Sequence, residues 1–238
     1  MGFRGYAPYQ TIEELRYKNV RKKVSYLKKH PDAKPIVLQG SLGKTWWGKA
    51  WNQNLERYAD YENRLGRGKR YIKGEAIFDL KIKKGNIHAI VAGSGRIPYT
   101  VSIDINPMSA KEWKILQKEC GDQIESMEVL LQGKFPKGLK EVFFLKDHGL
   151  FPSPKQIHIH CDCPDYAVLC KHAAAVLYAV SIQLDEDPSL FFQLRQINMD
   201  DLIKKALGEN VNQLIDNAKK KSSRILEEDD LETLFHLV

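Results

Sequence analysis

The sequence predicts an α+β fold, in which helices flank a small antiparallel sheet and a zinc-binding module lies beyond it. Residues 75–105 alternate between apolar and polar residues in three stretches, separated by glycine-containing turns, as in a β-meander. Three cysteines and one histidine fall within 161–172, which is typical of a metal site. Apolar residues recur at helical spacing on both sides of the meander, over 11–30, 46–60 and 109–132.

The two helical stretches before the meander have different faces. The first carries a basic run over 21–29 on the side away from its apolar residues, and prolines at 31 and 35 end it. Residues 36–38 are expected to form a short strand. In the second stretch, four large apolar residues at near-helical spacing predict a stripe of core: Trp47, Trp51, Leu55 and Tyr58.

Charge divides the chain into three predicted regions. Residues 1–80 hold 17 Lys and Arg against 8 Asp and Glu, whereas residues 181–238 hold 7 against 12. The basic front favours a polyanionic partner, although an ordinary solvated surface explains the same asymmetry. We therefore predict a basic N-terminal α+β domain over 1–150, a zinc module over 151–184 and a helical, acidic region over 185–238.

The composition indicates a cytoplasmic protein. No charged and then apolar leader opens the chain, so nothing points to secretion. The longest stretch of low charge, 172–184, has 13 residues and is too short to span a bilayer, so no membrane association is expected. Because a cytoplasmic setting keeps thiols reduced, clustered cysteines favour a metal over disulfides.

The cysteine cluster has the spacing of a closed zinc site. Cys161 and Cys163 lie two apart in an extended segment, so their side chains project to the same side. Cys170 and His172 come at the start of an apolar helix, and Cys170 is expected just before the first turn. Three thiolates and one imidazole fill a tetrahedron with no open position, which predicts structural rather than catalytic zinc. His158 and His160 are expected to point to the opposite face.

The C-x-C and C-x-H pairs and the residues around them, over 157–184, resemble the SWIM zinc-finger family. Residues 45–51, 58–65 and the pair Asp187-Pro188 are also similar to prokaryotic SWIM-containing proteins. The resemblance implies a β-hairpin-plus-helix finger with zinc held by Cys161, Cys163, Cys170 and His172. It also implies a role in DNA or protein binding, often beside helicase-like remodelling ATPases.

A basic segment between the second helix and the meander is predicted to be a flexible loop. Residues 64–73 hold five positive charges, two glycines and one tyrosine, Tyr71, that could stack on a base. A solvated basic turn is the alternative. The predicted phosphate contacts are Arg64, Arg67, Lys69, Arg70 and Lys73 of the loop, together with Lys171 between two zinc ligands.

These observations favour a non-enzymatic protein that binds nucleic acid, DNA in the first instance, with zinc as its cofactor. The alternative is a protein-interaction adaptor for a helicase-like DNA-remodelling ATPase. Residues 40–45 superficially resemble a phosphate-binding loop, but only two residues separate the glycines where that loop needs four. The motifs of zinc deaminases and zinc proteases are absent, and no small-molecule substrate is inferred.

Overall fold

The computed structural model describes residues 10–57, 59–120, 131–134, 141, 143–144, 149–165 and 167–198. Within these residues the protein has the predicted α+β class. The helices are α1 (Ile12–Leu27), α2 (Trp46–Glu56), α3 (Ala59–Lys73), α4 (Ala110–Cys120), α5 (Lys171–Glu186) and α6 (Ser189–Arg195). The strands are β1 (Ile77–Lys83), β2 (Asn86–Val91), β3 (Tyr99–Ile105) and β4 (Ile157–Cys161).

The four strands form one antiparallel sheet in the order β1-β2-β3-β4. The first three are the predicted meander. The fourth, β4, pairs with β3 in a register that places Cys161 opposite Val101 and Ile157 opposite Ile105. The strand that carries the first zinc ligand is therefore bonded to the main sheet. In the described part of the finger, this pairing replaces the separate hairpin that the resemblance implies.

Helix α5 lies at the centre of the fold. Every residue from His172 to Ser181 is buried, as is Leu184. A helix that is apolar on all sides can only be stable inside a core. Helices α2 and α3 and the sheet all pack against it. Trp51 of α2 donates its indole N–H to the carbonyl of Leu177, at 2.8 Å, so α5 is held by polar as well as apolar contacts.

The predicted core stripe of α2 is confirmed where the structure describes it. Trp47, Trp51 and Leu55 are all buried, and Tyr58 lies outside the described residues. The Trp47 ring packs against Phe191 and Phe192 of α6, with centroids 5.3 and 5.4 Å away. Helices α2, α5 and α6 thus share one aromatic core.

The predicted flexible loop over 64–73 is wrong, because these residues form most of α3. Two glycines lower the local helix propensity, but one of them is required by packing. A Cβ on Gly68 would lie 2.6 Å from the Cβ of Ala174 on α5 and 2.8 Å from its carbonyl carbon. Leu65 and Ile72 are buried on the same face. Burial against α5 therefore outweighs the cost of glycine in the helix.

Three other predicted elements differ in extent. Residues 36–38 form no regular strand; Ile36 only donates one backbone hydrogen bond to Ile77, at 3.3 Å. The predicted second helix ends at Glu56, and α3 follows from Ala59. The helix expected over 109–132 is described from Ala110 to Cys120, and residues 121–130 lie outside the described part.

The acidic C-terminal region and the three-region division stay predictions. Helix α6 lies in the region over 185–238 that is predicted to be helical, and residues 199–238 lie outside the described part. Among the helices that the structure describes, none combines the length and the apolar character needed to cross a bilayer.

Helix α1 is anchored by a buried carboxylate at the end of α3. Both Arg16 and Lys23 form ion pairs with Glu75, whose side chain is 8% exposed. Asn19 donates a hydrogen bond to the carbonyl of Gly74, at 2.8 Å. Burial alone would raise the pKa of Glu75, but the hydrogen bonds and charges of Lys23 and Arg16 outweigh it and lower this pKa below its ordinary value of 4.5.

Replacing Gly68 should show how tightly α3 packs on α5. Gly68→Ala is expected to lower the free energy of unfolding by about 1–3 kcal/mol, because the backbone of α5 must move. Gly66→Ala is the matched control, since a Cβ there meets nothing within 4 Å and should stabilise the helix by about 0.5–1 kcal/mol. Denaturant unfolding measures both. Equal effects of the two substitutions would contradict the packing argument.

Replacing Glu75 should loosen α1 in a pH-dependent way. Glu75→Gln is expected to lower the free energy of unfolding by about 1–3 kcal/mol near neutral pH. Because the folded pKa is depressed, this contribution is complete above pH 4.5 and is lost as the pH falls through the folded value. The difference between the two proteins should therefore shrink in acid. Glu13→Gln on the exposed side of α1 serves as the control, and a pH-independent difference would argue against the ion pairs.

Candidate metal centre

Two elements bring the four predicted zinc ligands together. Cys161 is the last residue of β4, Cys163 follows in the loop, and Cys170 and His172 stand at the start of α5. Their ligand atoms all lie within 4.8 Å of one another, and no other group of this kind occurs among the described residues. The sheet and the central helix therefore meet at this cluster.

Cys170 occupies the N-cap of α5. Its backbone is extended, with φ −83° and ψ 167°, and its Sγ accepts a hydrogen bond from the backbone N–H of Ala173, at 3.4 Å. On a regular helix two residues at this spacing would point apart, so the extended N-cap is what lets Cys170 and His172 face the same point. This confirms the expectation that Cys170 precedes the first turn.

The spacing of the cluster fits a tetrahedral zinc ion. The Sγ atoms of Cys161 and Cys170 each lie 3.9 Å from Nδ1 of His172. Zinc bonds of about 2.3 Å to sulfur and about 2.0 Å to nitrogen imply ligand-to-ligand edges of roughly 3.5–3.8 Å. The two measured pairs therefore need to close by only a few tenths of an ångström, and no pair of ligand atoms, all within 4.8 Å, needs to close by more than about 1 Å. The donor set and the geometry together confirm the predicted cofactor, because the four residues are positioned to bind zinc.

The electrostatics of the cluster also call for a cation. A hydrogen bond from Cys161, with further bonds from His172 and the Ala173 N–H, lowers the pKa of Cys170 to about 4. The shared hydrogen bond with Cys170, and burial, raise the pKa of Cys161, and burial raises the pKa of Cys163. Cys170 therefore ionises readily, whereas the ionisation of Cys161 and Cys163 is disfavoured. A divalent cation removes this conflict, since it deprotonates the thiols that coordinate it.

Two tyrosines hold the ring of His172. The ring centroids of Tyr99 and Tyr71 lie 4.7 and 5.3 Å from that of His172, which is 3% exposed. Its Nε2 atom has no hydrogen-bond partner among the described residues. Aromatic packing therefore orients the ligand where many zinc-bound histidines use a carboxylate or carbonyl. Tyr71 is thus a packing partner of the ligand, and the sequence analysis missed this role for both tyrosines.

The loop between the ligands is fastened at both ends. The backbone N–H of Thr100 donates to the carboxylate of Asp162, at 3.0 Å. Asp165 accepts a hydrogen bond from the N–H of Ala167, at 3.3 Å, and pairs with Arg64 of α3, at 3.2 Å. Helix α3 and strand β3 therefore both hold the ligand loop. His158 and His160 are exposed and do not belong to the cluster, as expected.

The six predicted phosphate contacts lie on two helices. Arg64 is engaged with Asp165, Lys69 pairs with Glu56 at 2.8 Å, and Arg70 donates to the carbonyl of Gln10. The Lys171 ammonium lies 5.4 Å from the centroid of the Tyr71 ring. Arg67 and Lys73 are exposed on α3.

Helical spacing divides these cations into two groups. Arg67 lies one turn beyond Arg64, so both lie on the side of α3 that reaches the zinc loop. Lys69 and Lys73 instead line a cleft of about 460 Å³ together with Lys49 of α2. The structure therefore brings Arg64 and Lys171 beside the ligands, and helical spacing puts Arg67 on the same side of α3 as Arg64. Lys69 and Lys73 lie at the separate cleft, and Arg70 is engaged with Gln10. That any of them contacts phosphate stays a prediction.

The segment that resembles a phosphate-binding loop already holds a carboxylate. The backbone N–H groups of Lys44 and Thr45 donate to Asp185 of α5, at 2.7 and 2.8 Å, and the Thr45 hydroxyl does so at 2.8 Å. Asp185 also fills the space over Gly48, where a Cβ would lie 2.4 Å from its carboxylate oxygen. This start of α2 is therefore a structural contact between two helices.

Removing one ligand should remove the metal. The purified protein is expected to carry one zinc ion per chain, and Cys163→Ser should lose it, because three ligands and a water bind far less tightly than four. Metal analysis measures the content, and cobalt substitution should give the absorption of a tetrahedral thiolate site. His160→Ala, on the exposed face of β4, is the control and should retain zinc. Zinc retained by Cys163→Ser would refute the assigned ligand set.

Comparison with known proteins identifies the same segment. The sequence model of the SWIM zinc finger matches residues 142–181. The chain is 31% identical over 166 residues to the uncharacterized protein Rv2102 of Mycobacterium tuberculosis; these residues are 69% of this chain and 60% of that relative. The chain thus covers less than two thirds of its relative's length. No solved structure matches it significantly. The segment that matches the SWIM zinc finger contains all four residues of the metal centre.

Proposed function

We propose that this protein is a non-enzymatic accessory factor that binds nucleic acid, DNA in the first instance, through a basic surface organised by zinc. The observation that carries the proposal is the position of Arg64 and Lys171 at the metal centre. Arg64 contacts the ligand loop, Arg67 lies one turn further along α3, and Lys171 stands between two ligands. We call these three residues the zinc-side surface.

The zinc-side surface owes its geometry to the metal site. Asp165 of the ligand loop orients Arg64, and the Tyr71 ring, which packs on His172, lies under the ammonium of Lys171. Zinc would therefore fix the spacing of these cations without itself contacting the nucleic acid. Cations held at fixed spacing contact successive phosphates more effectively than mobile ones, because less conformational entropy is lost on binding.

The site chemistry supports a binding role over an enzymatic one. Four protein ligands complete the tetrahedron, so the zinc ion has no open position at which it could activate a water molecule. The start of α2 is occupied by Asp185, which leaves its amides unable to hold a nucleotide phosphate. With a formal net charge of +7, the chain is also suited to a polyanionic partner.

A second candidate is the adaptor role beside a helicase-like DNA-remodelling ATPase. The observation in its favour is Val168, which is 82% exposed in the ligand loop, within a few residues of Asp165 and Cys170. An exposed apolar side chain in the loop that joins the metal ligands suits a protein contact. If the adaptor role is the whole function, the purified protein should show no salt-sensitive binding to nucleic acid.

Removing the zinc-side surface should weaken binding and reduce its salt dependence. Arg67→Ala/Lys171→Ala is expected to lower the slope of log affinity against log salt by about 1.8 for duplex DNA, since each phosphate contact contributes about 0.9. Fluorescence anisotropy with a labelled duplex at several salt concentrations measures this slope. Zinc content should be unchanged.

The control removes the same charge elsewhere. Lys111→Ala/Lys114→Ala, at exposed positions of α4, should leave the slope close to that of the unmodified protein. An identical reduction in both double variants would reveal a general charge effect and remove the support for the zinc-side surface. No binding by the unmodified protein would leave the adaptor role as the better proposal.

A further inference from the structure

A second basic cleft includes none of the predicted phosphate contacts. It opens between α1 and the segment that joins β2 to β3. Its volume is about 540 Å³, which is within the usual range of about 300–1,000 Å³ for small-ligand sites. Four of its lining residues are cations, and the described residues that line it include no carboxylate: the cations are Arg21, Lys22, Lys29 and Arg96. A concave surface lined by one sign of charge concentrates its field on anions.

One of the four cations builds the wall of the cleft. The ammonium of Lys22 donates hydrogen bonds to the carbonyls of Gly93 and Gly95, at 2.9 and 2.6 Å. This fastens the segment between β2 and β3 to α1. Arg21, Lys29 and Arg96 are exposed, so three cations remain at the rim of a cleft whose walls are held together.

The remaining lining of the cleft is mainly apolar and aromatic. Tyr26 lies over Phe78, with ring centroids 5.9 Å apart, and stacks on His30 at 4.3 Å. Ile97 is 81% exposed, and Pro98 follows it. An exposed isoleucine beside an aromatic side chain offers an apolar surface that could cover the face of a flat ring. The cleft therefore combines a cationic rim with surfaces on which a ring could lie.

We infer that this cleft, which we call the α1 cleft, binds a segment of single-stranded nucleic acid. Arg21, Lys29 and Arg96 contact backbone phosphates, and one base lies against Tyr26 and Ile97. Single strands are bound by this combination of charge and stacking, because their bases are free to leave the stack. A duplex keeps its bases paired and would reach only the rim. The inference rests on the proposed nucleic-acid-binding function. It adds a second site, which shares no residue with the zinc-side surface.

The test uses the full chain with zinc bound and a labelled thymidine oligonucleotide of about 12 nucleotides. Arg21→Ala/Arg96→Ala should lower the salt slope by about 1.4, because each phosphate contact of a single strand contributes about 0.7. Ile97→Ser should lower affinity by about three- to tenfold and leave the slope unchanged, since it removes an apolar contact and no charge. Both variants alter exposed side chains and should fold as the unmodified protein does.

The control and the competitor decide between outcomes. Lys83→Ala/Lys84→Ala, at the exposed turn between β1 and β2, removes two charges away from the cleft and should leave the slope unchanged. Unlabelled single strand should compete better than a duplex of the same length. Equal competition by the duplex, or an unchanged slope in Arg21→Ala/Arg96→Ala, would overturn the α1 cleft while leaving the zinc-side surface intact. Failure of the unmodified protein to bind any oligonucleotide would overturn both.

Discussion

The burial of α5 is the constraint on which the rest of the structure depends. Its N-cap supplies Cys170 and its first turn supplies His172 to the metal, and near its end Asp185 accepts hydrogen bonds from the backbone N–H groups that begin α2. The free energy of structural zinc binding, about 10 kcal/mol or more, is comparable to the whole stability of a typical domain. A ligand set at the end of a central helix therefore couples the metal to the core, and the two cannot be treated as separate units.

Helix α3 packs against this core and carries basic residues on its outer sides. Gly68 lets its backbone lie against Ala174, which brings Tyr71 to the ring of His172 and Arg64 to the ligand loop. The same close approach places other cations of the helix on the opposite side, toward the cleft that includes Lys49. One run of basic residues in the sequence thus contributes to two surfaces, and only one of them adjoins the metal centre.

The sequence predicted those features that depend on local spacing. The four ligands, which fall within twelve residues, and the β-meander with its short alternating stretches follow from local patterns, and the structure contains both. The loop over 64–73 was wrong because Gly66 and Gly68 weaken a helix locally, whereas the partner that requires Gly68 lies about a hundred residues later. The pairing of β4 with β3 and the aromatic setting of His172 are equally non-local. Neither leaves a periodic signal near the residues involved.

The zinc centre and the α1 cleft are linked by a short path along the chain. Ile97 and Pro98 line the cleft, and the next residue, Tyr99, begins β3 and packs on His172. Gly93, whose carbonyl accepts from Lys22, lies so close to the Tyr99 ring that a Cβ there would be 2.1 Å from it. A shift of His172 on metal loss must therefore be accommodated by Tyr99, and through it by the wall of the cleft. If single strands bind in this cleft, zinc would support that binding by positioning an aromatic residue, without any contact between the metal and the nucleic acid.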